Sequence, residues 1–99
     1  MIKHIVLFKL RDDVAESVKS SRLPEIREKF MALMGVIPTL RSIEIGLNVN
    51  PKEKFDLSLE ATFDDMEGLA AYATDPRHVA VAKMVGEMLD ARACTDYEI

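Results

Sequence analysis

From residue 2 to residue 10 apolar and polar side chains alternate. Ile2, His4, Val6, Phe8 and Leu10 fall on one side of an extended strand, and Lys3, Ile5, Leu7 and Lys9 on the other. The middle of this strand is apolar on both faces. Asp12 and Asp13 can cap a helix after it, and Ile26, Phe30, Leu33 and Ile37 recur at spacings of four, three and four, the period of an amphipathic helix. An interior proline loses a backbone bond and clashes with the preceding turn. Pro24 therefore predicts a short helical turn near Val14 to Lys19 and a restart near Ser21 to Pro24, with Gly35 and Pro38 ending the helix. A second strand is expected around Arg41 to Asn48, with Ile43, Ile45 and Leu47 opposite Ser42, Glu44 and Gly46. After the turn-forming stretch NVNPKEK, a third strand alternates Phe55, Leu57, Leu59, Ala61 and Phe63 with Asp56, Ser58, Glu60 and Thr62.

Asp64 followed by Glu67 matches a reciprocal capping pattern and predicts a helix carrying Met66, Leu69 and Tyr72 that stops near Thr74. Asp75 then Pro76 starts another, running through about Leu89. A last strand, near Arg92 to Ile99, closes the chain. The order strand, helix, strand, strand, helix pair, strand is that of split βαβ units. It predicts an α+β fold: a ferredoxin-like four-stranded antiparallel sheet with the helices on one face. Those helices leave the other face bare, yet Ile5 and Leu7 on the first strand and Ala93, Thr95, Tyr97 and Ile99 on the last are apolar or weakly polar there. An exposed apolar sheet face of that size is rare on a monomer, so a homodimer packed sheet to sheet through a two-fold axis is expected.

Composition narrows the partners. A chain of 99 residues, with 48% apolar and 30% charged side chains, is expected to form one domain spanning residues 1–99. A net charge of −4 argues against nucleic acid, whose affinity for proteins comes mainly from Lys and Arg neutralising phosphates. Cys94 is alone, which excludes an intrachain disulfide and a multi-thiolate zinc site. The opening MIKHIVLFKL alternates and carries charge, unlike a signal peptide. The longest uncharged run, Phe30 to Leu40, is far short of the roughly 20 residues that span a bilayer, so no membrane partner and a cytoplasmic location are expected. There is no phosphate-binding glycine loop, and two histidines with scattered carboxylates make no recognisable metal site. Neither a cofactor nor a metal is expected.

Three polar side chains remain as candidates for chemistry. His4 shares its strand face with Val6 and Phe8, and Ile43 and Leu59 belong to the helix-facing stripes of neighbouring strands. If His4 points at the helices it sits beneath Tyr72 and His78, and three polar tips converge on an apolar space suited to a small-molecule ligand. A core histidine bonded to a carbonyl fits the same pattern. His78 falls in the first turn of its helix, where the macrodipole disfavours positive charge and leaves a neutral imidazole able to accept a proton; Asp75 pulls the other way. A solvated first-turn histidine is the plain alternative. Tyr72, near its helix end, can donate to a developing oxyanion or merely pack with a wet hydroxyl.

The opening MIKHIVLFKL, the stretch GVIPTLRSIEIGLN, the strand FDLSLEATFDD, the segment YATDPRHVAVAKMV and the closing TDYE together resemble the stress-responsive α/β-barrel (Dabb) family, nearly end to end. The resemblance implies two protomers pairing their sheets into a dimeric α/β barrel, each keeping a pocket between sheet and helices. In plant members that cyclise polyketides without a cofactor, the tyrosine and histidine of a Y-x-x-x-P-x-H segment form the acid/base pair, and the opening-strand histidine lines the pocket. Carried over, these are Tyr72 and His78 as catalytic residues and His4 as a substrate-binding one. Three features depart from the family pattern: the Pro24 region is longer than usual, Val81 and Ala82 line the third helix where bulk sets pocket shape, and Arg92 brings a charge near the cavity.

Three functions are therefore open. The first is cofactor-independent acid/base chemistry on a carbonyl or polyketide-like molecule. The second is a non-catalytic stress-response or ligand-binding dimer in which these residues are structural. The third, on the same resemblance, is a cofactorless monooxygenase.

Overall fold

The computed structural model describes residues 1–99. Its elements are β1 (Ile2–Leu10), α1 (Glu16–Met31), β2 (Ser42–Leu47), β3 (Leu57–Phe63), α2 (Met66–Thr74), α3 (Pro76–Gly86) and β4 (Leu89–Glu98). The strands form one antiparallel sheet in the order β2-β3-β1-β4, the ferredoxin-like arrangement that the alternation of strands and helices predicts.

Burial alternates along β1 with a period of two: Ile2, His4, Val6, Phe8 and Leu10 are buried, and the residues between them only half-buried. The buried row meets Leu59 and Ala61 of β3, with Ile43 and Ile45 of β2 beyond, and the helices lay Ile26, Phe30, Leu69, Tyr72 and Val85 onto it. Register then decides what β4 contributes to that face. Asp96 lies opposite His4, Cys94 opposite Val6 and Arg92 opposite Phe8, so all three side chains share the helix-bearing side of the sheet. They remain exposed, because the helices cover the rest of the sheet more fully than its β4 edge.

Several local expectations change. The first helix is continuous from Glu16 to Met31 with Pro24 inside it, not a turn and a restart. Pro24 and Ser20, whose carbonyl loses its partner, are both exposed, so water can satisfy the freed oxygen. Pro24→Ala is accordingly expected to raise stability by about 1–2 kcal/mol, the helix-propensity gain less the entropy that proline removes from the unfolded chain. A urea midpoint that does not rise would contradict this. Asp12 and Asp13 do not cap the helix; they pair with Lys9 and Arg11, each at 3.0 Å, and Ala15 occupies the N-cap position.

At α2 the cap is Asp65, which accepts from the Gly68 N–H at 2.8 Å. Asp64, the expected cap, instead takes a two-pronged bond from the Arg41 guanidinium at 3.1 and 2.8 Å, tying the start of β2 to the end of β3. Asp75 caps α3 with Pro76 in its first turn, as its sequence predicts, but the helix ends at Gly86 and Leu89 already belongs to β4.

The outward sheet face carries Ile5 and Leu7 half-buried and Ala93, Thr95 and Tyr97 exposed. Three hollows open there: one of about 320 Å3 beside Leu7, Gly46 and Phe55, one of about 210 Å3 between Ile5, Leu7, Ala93 and Thr95, and a polar one of about 270 Å3 among Lys3, Glu44, Glu60 and Thr62. No helix is long and apolar enough to cross a membrane.

Candidate functional site

Between the sheet and the helices lies a cavity of about 110 Å3 lined by His4, Val6 and Phe8 of β1, Leu59 of β3, Leu89 and Arg92 of β4, Tyr72 of α2, His78, Ala82 and Val85 of α3, and Phe30 of α1. The floor is the inward row of β1. The wall is a single α3 row, since residues four and three apart stack on one helix face. The hollows on the outward sheet face are larger, but the residues able to move protons are gathered here.

Three rings converge. The Tyr72 and His78 ring centroids stand 4.3 Å apart at an interplanar angle of 43°, and His4 lies edge-on to Tyr72 at 6.5 Å. The Asp75-Pro76 break makes this approach, because it ends α2 just after Tyr72 and starts α3 just before His78, so one short corner presents both side chains. Tyr72 is almost fully buried, and no side-chain or backbone group pairs with its hydroxyl. Every other buried side-chain nitrogen or oxygen has a partner. An unpaired buried hydroxyl costs about 1–3 kcal/mol, so it is not where packing alone would leave one. Burial raises its pKa far above the ordinary phenol range, which keeps it a proton donor at any physiological pH.

His78 is held by its Nδ1, 3.1 Å from the Ala73 carbonyl oxygen. A carbonyl only accepts, so Nδ1 carries the hydrogen and Nε2 keeps a free lone pair. Its pKa lies below the ordinary 6.5. Burial is the main cause; the Ala73 carbonyl opposes it, the neighbouring His4 and Arg92 reinforce it, and Asp75 opposes it least. Desolvation thus leads here, where the sequence suggested a helix-terminus effect, and Asp75 is weak because its carboxylate is committed to Arg77 at 2.8 and 2.9 Å, which pulls its own pKa to about 2.

The His78 shift fixes a pH dependence. A histidine that binds its proton less readily when folded leaves the unfolded chain holding more protons as pH falls below about 6.5. Its contribution is therefore fully present above that pH and declines as pH drops toward the depressed folded value. Denaturant unfolding from pH 7.5 to 5 is expected to show this loss in the wild type and a smaller one in His78→Gln. Parallel curves for the two proteins would contradict it.

His4 donates from Nδ1 to the Asp96 carboxylate at 2.5 Å, and Cys94 Sγ stands 3.6 Å from the same nitrogen. The three donors lie within 4.8 Å of one another, although 90 or more residues separate His4 from the other two, so no sequence spacing reveals them. The nitrogen-to-oxygen separation is that of a close hydrogen bond from an imidazole N–H to a carboxylate. It is shorter than the about 3.3 Å between two donors on a tetrahedral ion with bonds near 2.0 Å. As arranged, Asp96 fixes the His4 ring and leaves Nε2 as its free nitrogen.

Of the residues expected to form the pocket, the structure brings together His4, Val6, Phe8, Leu59, Tyr72 and His78. Ile43 and Val81 lie outside it. Ile43 is on β2, separated from β1 by the whole of β3, and packs into the core. Val81 is buried but sits about 100° around α3 from Ala82, off the row that faces the cavity. Asp96, Phe30, Val85 and Leu89 were missed. The antiparallel pairing of first and last strands was the signal for Asp96, since it sets that residue opposite His4.

Residues 2–99 match the family model of the stress responsive A/B barrel domain. Among solved structures, a dimeric protein of unknown function with a ferredoxin-like fold from Bacteroides fragilis superposes with a TM-score of 0.95 and 45% identity, covering 99% of this chain and 95% of that one. An uncharacterized protein of Streptomyces coelicolor is 36% identical over 81 residues, 81% of each chain. Olivetolic acid cyclase of Cannabis sativa is 24% identical over 99 residues, 97% of this chain and 94% of that one.

Proposed function

The chain belongs to the stress-responsive A/B barrel domain family, and from that premise we propose that it is a homodimer whose protomers each carry out cofactor-independent acid/base chemistry on a carbonyl compound. The outward sheet face, with Ile5, Leu7, Ala93 and Tyr97, is the surface a second copy covers. The relative named as a cyclase and the solved neighbour described as dimeric both fit this reading.

Substrate enters with its carbonyl oxygen toward Tyr72 and an adjacent C–H toward His78. Neutral His78 takes the proton at Nε2, while its Nδ1–H bond to Ala73 holds the ring in place. The electron pair of the broken C–H bond forms a carbon–carbon double bond, and the carbonyl oxygen gains the displaced charge. The Tyr72 O–H donates to that oxygen in a site walled by Val6, Phe8, Leu59 and Val85, where low polarity strengthens the bond. The enolate can then attack a second carbonyl, as ring closure of a polyketide-like chain requires. A cavity of about 110 Å3 holds only the reacting portion of such a chain; the rest lies across the open side by Ala82 and Arg92.

The observation that carries this reading is the buried, unpartnered Tyr72 hydroxyl beside the free Nε2 of His78. A structural tyrosine would have its hydroxyl bonded, and losing it would cost stability. Tyr72→Phe is instead expected to leave the thermal midpoint unchanged or raise stability by up to about 1 kcal/mol, because nothing in the folded chain loses a partner. The same change should slow deuterium uptake at the carbon next to a ketone by about 10²-fold. A clear fall in stability with undiminished exchange would assign Tyr72 to packing and overturn the proposal.

A further inference from the structure

We propose that Arg92 is the anchor for a substrate carboxylate, and that the pocket takes a short keto acid with the carboxylate on Arg92 and the ketone oxygen on Tyr72. This deepens the acid/base reading above and rests on it.

Arg92 lies opposite Phe8 in the β1–β4 register, on the sheet face that looks toward the helices, and lines the cavity together with Tyr72 and His78. Its row on β4, with Cys94 and Asp96, is exposed at the sheet edge, so the guanidinium stands at the rim of the cavity and not in the core. Arg11, Arg22, Arg41 and Arg77 each hold a carboxylate between 2.8 and 3.2 Å, whereas Arg27 and Arg92 hold none, and of these two only Arg92 lines the cavity. The acids that flank it along β4 are already engaged, Asp90 with Lys9 at 3.1 Å and Asp96 with His4 at 2.5 Å. Its fork of donors is therefore free at the edge of a cavity whose other lining is mostly hydrophobic. A planar, permanently charged guanidinium matches a carboxylate two donors to two acceptors. Its charge also reaches His78, where it works against protonation.

Size and spacing then select the ligand. A cavity of about 110 Å3 admits a few carbons and one carbonyl, and Arg92 shares its lining with Tyr72 and His78, so an anionic end held by Arg92 is close to the reacting carbon. A short keto acid has this form: carboxylate at the rim, ketone inside, acidic C–H between or beside them. His78 takes that proton, the C–H electron pair becomes the enolate double bond, and the ketone oxygen receives the charge under the Tyr72 O–H. Return of the proton restores the ketone, so in D2O the carbon acquires deuterium. Neither an oxidant nor a co-reactant enters.

The test uses acetoacetate and its neutral isostere acetoacetamide, with binding read from NMR shifts of the Arg92 guanidinium and the His78 ring. Acetoacetate is expected to bind the wild type roughly 10- to 100-fold more tightly than the amide, the value of a charge-assisted bond. Arg92→Leu should erase that preference and Arg92→Lys should retain part of it. Equal affinity for the two probes, a preference surviving in Arg92→Leu, or no binding of either probe overturns the assignment. Deuterium uptake by the bound probe, compared between wild type and His78→Ala, reports separately on the acid/base reading. A carboxylate preference that depends on Arg92, with no His78-dependent exchange, would keep the anchor and remove the chemistry.

Discussion

Replacing His78 with alanine is expected to lower the rate of proton removal from a ketone substrate by about 10²–10⁴-fold, the usual worth of a positioned general base. Nothing else lining the cavity is placed to take over. Tyr72 stays protonated, and Arg92 bears no lone pair; His4 is the other imidazole, but Asp96 fixes its ring through Nδ1, and its centroid stands farther from Tyr72, 6.5 Å against 4.3 Å for His78. The loss is not expected to reflect unfolding. Ala73, whose carbonyl His78 holds, is exposed, so water replaces the bond when the ring is removed. Exchange rates in D2O and a urea curve on the same variant separate the two effects. Full activity in a folded His78→Ala protein removes the proposed mechanism.

The second large effect lies on the opposite side of the sheet. Leu7→Glu is expected to raise the dimer dissociation constant by on the order of a hundredfold or more and to yield lone protomers in sedimentation at micromolar concentration. Leu7 is in the middle of β1, an interior strand of the sheet, and sits between Ser58 of β3 and Ala93 of β4 in the two registers. If two copies meet on this face, a two-fold axis buries a carboxylate from each, and an unpaired buried charge costs about 3–5 kcal/mol. The hollows beside Leu7 show that this face is contoured, not a flat polar surface. An unchanged sedimentation coefficient, whether monomeric or dimeric in both proteins, would mean that the apolar face is not the interface.

Much of this architecture can be read from alternation. In β1 the period of two assigns His4, Val6 and Phe8 to the buried face without further information, and the same logic gives β3 through Leu59 and Phe63. Asp75-Pro76 marks its helix start because a capping carboxylate and a proline in the first turn leave little else for the backbone to do. The failures have physical causes too. Pro24 stays inside α1 because that part of the helix faces water, and exposure cannot be read from proline alone. Asp64 and Asp65 compete for one cap, and Arg41 decides between them from across the sheet.

The site was legible where its residues lie on one strand or around one corner, as with His4 and with the pair Tyr72 and His78. It was illegible where register or helix phase decides. Asp96 meets His4 only through strand pairing, Val81 points away because it is one residue off the α3 row, and Ile43 lies a whole strand too far from β1. The orphaned hydroxyl of Tyr72 is wholly a three-dimensional fact.

The proposed chemistry requires His78 to stand in the pocket as a neutral imidazole with its proton on Nδ1 and its Nε2 open to a ligand. Nitrogen-detected NMR of the His78 ring across pH 5 to 8 tests this most directly. Protonation is expected below the ordinary 6.5, with the Nδ1–H tautomer above it and an Nε2 resonance that moves when a small keto compound is added. A pKa at or above 6.5, the opposite tautomer, or an Nε2 signal indifferent to every such compound would contradict it.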